Sequence, residues 1–269
     1  MVHEGAVRLP TTIAAAYRTE LFRAFHSPYE TPIVVAINGV LMGVLWVWTP
    51  AQSLFSVHKI WAFPLILASW MYSDVPATNV FGSDAKRMIA AFDDLSAMRR
   101  MLYAKNLVLM TLVVPIASTM AVLVAVQMHR PIVAIWNVAL VVLVPLGALG
   151  VSGWFGIYFP YHPIPLKERW EHRSPFWHMI VRWLTLAMVP YGLVPALSFL
   201  VIGPALLVWK IGGGVDPSTG TRDTAFAVGI VVACAIAVVL LFFGHHFAIR
   251  LALRRKEVLI EYLSDPSKG

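Results

Sequence analysis

Five histidines, His162, His172, His178, His245 and His246, carry the side chains in this chain best suited to holding a metal, since imidazole is the commonest metal ligand in proteins. Their spacing argues against that chemistry. No H-x-x-x-H or H-E-x-x-H run puts two rings on one face of a helix, and the adjacent His245 and His246 diverge by about a hundred degrees on one. No metal site and no catalytic residue is therefore expected, although a membrane-embedded metalloenzyme using these rings stands as an alternative. The single cysteine, Cys234, leaves no disulfide framework and no thiolate metal centre within the chain. Phosphate chemistry fails a similar test. There is no G-x-x-x-x-G-K-[ST], and the glycines at Gly212, Gly213 and Gly214 lack the lysine that would follow. The chain does not hydrolyse ATP through a P-loop, so any nucleotide energy must come from a partner.

A second set of chemistry-bearing residues lies inside apolar runs. Asn38, Asn137 and Ser152 suit hydrogen bonds between helices in lipid. Asp74 is costly there unless paired with an arginine or wetted. Asn38, Asp74 and Asn137 are also the candidates for lining a cargo path.

The elements that must position these groups are read from hydropathy and charge. The sequence is 59% hydrophobic and 13% charged, too little polar surface for a water-soluble globule of 269 residues. Six long apolar runs cover roughly 32–48, 60–72 (or on to 80), 107–127, 132–158, 176–209 and 224–249. The expected fold is all-α: a polytopic integral membrane protein with six transmembrane helices forming one domain. All but four of the 21 basic residues fall in alternate gaps between the runs; Lys59, Arg130, Lys210 and Arg222 are the exceptions. By the positive-inside rule this puts the chain in the cell membrane with both termini cytoplasmic. The net charge of +7 flanks apolar runs and lines no single face, which fits anionic headgroups and not nucleic acid. No removable signal sequence is evident, so the first span is expected to be its own insertion signal.

Three segments depart from plain crossings. Over 11–26, Ile13, Tyr17, Leu21 and Phe25 recur every four residues while Arg18, Glu20 and Arg23 lie off that stripe, predicting an amphipathic helix in the inner interface. The run 176–209 is too long for one crossing and contains Pro190, Pro195 and Pro204. It is read as a crossing to about Tyr191 followed by a re-entrant piece over 196–209, with one long kinked helix as the alternative. The insertion 84–105 is read as a short cytoplasmic helix to about Phe92, a turn at Asp93 and Asp94, and a second helix to Lys105. Asp93 and Asp94 can both cap that second helix.

Here the chain resembles a family. Asn79, Val80, Phe81, Gly82, Ser83 and Asp84, followed by Lys105 and Asn106, resemble the N-x-F-G-x-D … K-N pattern of bacterial ABC export permeases of the type-2 class. The stretch 153–163, with Phe159, Pro160 and Tyr161, is similar to the region where their fourth span returns to the cytoplasm. Asp93, Asp94, Leu95 and Ser96 stand where close relatives carry a serine-proline pair, which limits the likeness to the superfamily. The resemblance implies a half-transporter: cytoplasmic ABC ATPase subunits with ATP and magnesium, a second permease subunit, and an apolar or amphipathic cargo. It makes 84–105 the coupling element, with Asp84, Lys86, Arg87, Asp93, Asp94, Arg99 and Arg100 as the ATPase contact. A membrane scaffold that recruits an ATPase without carrying cargo shares all these features.

Overall fold

The computed structural model describes residues 7–26, 29–48, 63–73, 75–162, 176–211 and 223–265. Among them every regular element is helical: α1 (Ile13–Ala24), α2 (Glu30–Trp48), α3 (Phe63–Met71), α4 (Val75–Thr78), α5 (Ala85–Ala91), α6 (Leu95–Gln127), α7 (Pro131–Ser152), α8 (Phe155–Tyr158), α9 (Phe176–Ile211), α10 (Asp223–Arg254) and α11 (Lys256–Ser264). Four stretches are long and apolar enough to cross a membrane, namely Glu30–Trp48, Leu95–Gln127, Pro131–Tyr158 and Ala227–Arg254. A multi-pass membrane protein follows from these.

Two apolar layers hold the long helices together. In one, Val35 and Met42 of α2 meet Phe63, Leu67 and Met71 of α3, Leu109 and Val113 of α6, Val141 and Leu149 of α7, and Val194 of α9. In the other, Leu140 and Val144 of α7 meet Val201 and Ile202 of α9 and Ile230, Ala233 and Ala237 of α10. The α7–α10 crossing is close, because Gly150 and Gly244 face one another and a Cβ on either would meet backbone of the other helix.

The reversal between α6 and α7 carries no glycine. His129 takes the left-handed conformation (φ 54°) instead, its N–H donating to Val126 O and that of Arg130 to Ala125 O. This pair of bonds is a Schellman closure, and Pro131 then starts α7 with the φ that helix entry requires.

Of the two ends offered for the second apolar run, the structure matches the one near residue 72: α3 ends at Met71, and the chain restarts as α4 at Val75. Pro76 has no N–H to offer Tyr72 O, the carbonyl one turn earlier, so a rung is missing where the helix breaks. Asp74 lies outside the described residues, as do Gly212, Gly213 and Gly214. One sequence expectation is corrected further along the chain. The segment 196–209, expected to turn back from the membrane, is instead the continuation of α9, one 36-residue helix with all three prolines inside it. Each proline removes one rung, and Val194, Val201 and Ile202 pack this helix into the apolar clusters it shares with α7 and α10.

A third apolar cluster closes one end of the bundle. Val80, Phe81, Met88, Phe92, Met98, Met101, Ile157, Ala248, Leu259 and Leu263 bring together the 80–92 segment, the start of α6, α8, the end of α10 and α11. Here Arg255 Nη1 donates to Ile157 O (3.3 Å) and Lys256 Nζ lies 3.2 Å from Asp93 Oδ1. Arg100 Nε reaches Pro10 O (2.9 Å), so the N-terminal helix joins the same end as the C-terminal one.

Candidate functional site

The 75–106 stretch is anchored at this end through its own polar residues. Asn79 is 2% exposed and clamps the backbone of Tyr161, its Nδ2 donating to Tyr161 O (2.7 Å) and its Oδ1 accepting from Tyr161 N (3.1 Å). Gly82 sits against the same peptide, and any Cβ there would overlap Tyr161 O and N. Ser152 Oγ, at the end of α7, reaches Ala77 O at 3.0 Å. The two stretches singled out by family resemblance, 79–84 and 153–163, are thus bound to one another, largely through backbone. Phe81 is fully buried in the end cluster.

Beside this clamp is a ring of charge. Arg23 Nη1 lies 2.6 Å from Asp84 Oδ2 and 3.3 Å from Glu20 Oε1; Arg87 approaches the same two oxygens, at 3.2 Å through Nε and 3.4 Å through Nη1. Two carboxylates alternate with two guanidiniums, joining α1 to the 84–87 turn. The Asp84 oxygen holds its arginines as a point charge, since neither N–H is aligned on it as a hydrogen bond. Arg23 Nη2 also donates to Ser83 O (2.6 Å). Removing an ion from water costs several kcal/mol, so the ring is stable only while its members stay paired.

Lys105 completes the cluster from α6. It is 7% exposed, donates to Val80 O at 2.6 Å, and also donates to Ser83 Oγ. Asn106, next along the helix, instead turns to α10, where its Nδ2 is 3.1 Å from His245 Nε2.

A polar cavity of about 350 Å³ opens against this cluster, between α1, the first turn of α2, α4 and α6. Glu20, Arg23, Glu30, Thr31, Asn79 and Lys105 are among its lining residues.

Helix α1 sits with its polarity inverted relative to a helix on a soluble protein. Thr12 Oγ1 caps it by accepting from Ala15 N (3.1 Å). Its buried side carries Ala16 and Glu20, while Ile13, Phe22 and Phe25 are 43%, 66% and 52% exposed. Tyr17 OH, 2.8 Å from Thr111 Oγ1, fastens it to α6.

The expected ATPase-contact residues divide into two groups. Lys86 and Arg99 are exposed. Asp84 and Arg87 point inward to the ring, and Arg100 is tied to Pro10 O and lies 3.5 Å from Asp94 Oδ2. Asp94 caps α6 as expected, accepting from Ser96 N and Ala97 N, both at 3.0 Å. Those bonds, the Ser96 hydroxyl first, hold its carboxyl below the usual carboxylate range. Asp93 does not share the cap; it pairs with Lys256. The helix expected over 95–105 and the following span form one helix, α6, about 50 Å long at 1.5 Å per residue.

Of the candidate path residues, Asn38 is buried and its Oδ1 accepts from Tyr191 OH (2.9 Å), bridging α2 and α9. Asn137 is fully buried in α7. Neither lines the polar cavity.

His162 Nε2 lies 3.0 Å from Tyr262 O, and His245 faces Asn106, so each ring is engaged separately. No group of three or more His, Cys, Asp or Glu able to hold a metal occurs among the described residues. His172, and the side chain of His178, lie outside them.

Sequence reasoning missed Glu20 as a ring member and Tyr161 as a backbone partner. The i, i+3 spacing of Glu20 and Arg23 was the available signal for the first; the second left none, because a backbone peptide has no residue type. Comparison with protein-family models, with curated proteins and with solved structures gives no match to this chain.

Proposed function

We propose that this chain is the membrane-spanning permease subunit of an ATP-driven ABC exporter. It would pair with a second permease subunit and with cytoplasmic ABC ATPase subunits that bind ATP and magnesium. Six spans with both termini cytoplasmic are part of this reading, as is an apolar or amphipathic cargo moved at the subunit interface. The observation that carries it is the mechanical continuity of 84–127: a short helix, α5, turns at residues 92–94 directly into the 33-residue α6. A push on α5 or the α6 N-terminus would be passed along one continuous helix into the membrane. The ring from Asp84 and Arg87 to α1, and the clamp from Asn79 to Tyr161, tie that lever to its neighbours. The location of α1 and α11 at one end of the bundle supports an even number of crossings.

The mechanism follows from differential binding. ATP-driven closure of two ATPase subunits would change the position of α5, and the cargo path would alternate between faces as the populations of two bundle arrangements shift. The test is to look for an ABC ATPase subunit encoded beside this chain, co-express the two, purify the complex and reconstitute it in vesicles. Stable co-purification with cargo-stimulated hydrolysis and transport is the expected result. A complex that forms but neither transports nor responds to cargo identifies a scaffold, and absence of any ATPase complex removes the assignment.

A further inference from the structure

The polar cavity brings a nucleophile and a base together. We propose that Ser83 and Lys105 form a serine–lysine dyad that hydrolyses carboxylic esters in this cavity, an activity separate from transport.

The geometry meets the requirements of nucleophilic catalysis. Ser83 Oγ and Lys105 Nζ are hydrogen-bonded to one another, and both residues line the cavity. Lys105 Nζ also donates to Val80 O at 2.6 Å, so the base is itself oriented by a third group. A hydroxyl on a base that is fixed in turn is the arrangement of serine hydrolases, in which lysine can stand for histidine. To act as a base Lys105 must be a free amine, and its surroundings favour that form. It is 7% exposed and makes no ion pair among the described residues, while Glu20 and Asp84 are taken up by Arg23 and Arg87. Burying an ammonium without a carboxylate is costly. The uncharged amine keeps its bond to Val80 O and turns its lone pair to the Ser83 hydroxyl, which rotates to donate.

In the reaction the Ser83 oxygen attacks the ester carbonyl carbon as its proton passes to Lys105 Nζ. The carbon–oxygen bond to the alcohol then breaks, and the alcohol departs with that proton, leaving the acyl group on Ser83. A water follows the same course: Lys105 takes its proton, its oxygen joins the acyl carbon, and the carboxylic acid leaves as Ser83 regains a proton. Arg23 also lines the cavity, and its Nη2 donates to Ser83 O at 2.6 Å, so it is the cation placed to hold the oxyanion.

The cavity also indicates the substrate class. Val75, Pro76, Val108 and Leu109 give it an apolar wall, and its volume of about 350 Å³ lies at the lower end for small-molecule sites. An ester with an apolar acyl chain suits both. A peptide substrate would be held as an extended strand along a sheet edge, and every regular element among the described residues is helical.

The test uses the full chain purified in detergent, with para-nitrophenyl butyrate as the probe. Nitrophenol should be released, and peptide mass spectrometry of acid-quenched protein should find a butyryl group on Ser83. Ser83→Ala should lose that adduct and lower the rate by about a hundredfold or more while the chain stays folded. Lys105→Met should slow acylation to a similar extent. Mapping the adduct on the parent chain decides the case even if Lys105→Met fails to fold. Absence of a butyryl group on Ser83, or a rate that Ser83→Ala leaves unchanged, would overturn the proposal. Acylation of Ser83 at an undiminished rate in a folded Lys105→Met chain would overturn the dyad by removing lysine as the base. None of these results bears on the permease reading, which co-purification and transport test separately.

Discussion

Asn79 and Tyr161 hold each other through one side-chain amide and one backbone residue, with Nδ2 donating at 2.7 Å and Oδ1 accepting at 3.1 Å. This double bond of contacts joins the broken second apolar run to the exit of α8, and both partners are buried. Asn79→Ala should lower stability by about 2–4 kcal/mol, because it leaves two backbone groups of Tyr161 without partners. Asn79→Asp should be no better, since an acceptor then faces Tyr161 O. Thermal unfolding in detergent measures both; a midpoint equal to that of the parent chain would refute the clamp.

Gly82 presses on the same peptide. Gly82→Ala should destabilise by about 1–3 kcal/mol through overlap with the Tyr161 backbone, which cannot rotate away as a side chain can. Gly43 has open space around its Cβ position, so Gly43→Ala serves as the control. Equal effects of the two substitutions would count against a close approach at residue 82.

The charge ring predicts loss of α1 docking when one member is neutralised. Glu20→Gln leaves Arg23 and Arg87 with one carboxylate between them. The expected cost is about 1–3 kcal/mol, moderated because Arg23 retains a third of its side-chain exposure. Cross-linking of Tyr17→Cys to Thr111→Cys with a short bifunctional thiol reagent reports the docking, since the linker would span the space left by the Tyr17 ring that now reaches Thr111 Oγ1 at 2.8 Å. Cross-linking yield should fall in the Glu20→Gln background, and an undiminished yield would show that the ring does not hold α1.

Charge reversal separates contact from support at the start of α6. Arg99 is exposed, whereas Arg100 is bonded to Pro10 O and paired with Asp94. If the coupling proposal holds, Arg99→Glu should reduce ATPase co-purification by about tenfold while leaving the thermal midpoint of the permease unchanged. Arg100→Glu should lower the midpoint as well. Normal co-purification of the Arg99→Glu chain would remove that surface from the interface.

Asp94 makes the α6 cap pH-dependent. Its folded-state pKa is lowered, by the Ser96 hydroxyl first and then the Ala97 N–H, so its stabilisation is present above the unfolded carboxylate pKa of about 3.9 and is lost as pH falls through the lower folded value. Asn at this position caps without a charge. The stability advantage of the parent chain over Asp94→Asn should therefore shrink between about pH 6 and about pH 3. A gap that stays constant over that interval would show that the carboxylate charge is irrelevant to the cap.

Much of the secondary structure was legible because apolar runs and helix periodicity are local properties. The amphipathic stripe announced α1, and Asp94 before Leu95 announced the start of α6. Proline was legible as a strain but not as an outcome. Pro76 sits just past the break between two helices, whereas Pro190, Pro195 and Pro204 are carried inside one that packs against its neighbours.

By itself the sequence determined that this is an all-helical membrane protein, since no arrangement of so few charges could clothe its apolar surface in water. It also marked 79–106 as the stretch where polar residues concentrate between spans. Only the tertiary structure decided which of those residues face inward. Asp84 and Arg87 are charged residues like Lys86, two positions and one position away from it, yet they are committed to α1 while Lys86 is exposed. The reason is that an ion pair between Glu20 and Arg87, or a clamp between Asn79 and Tyr161, depends on how separate helices stack, and no local pattern encodes that.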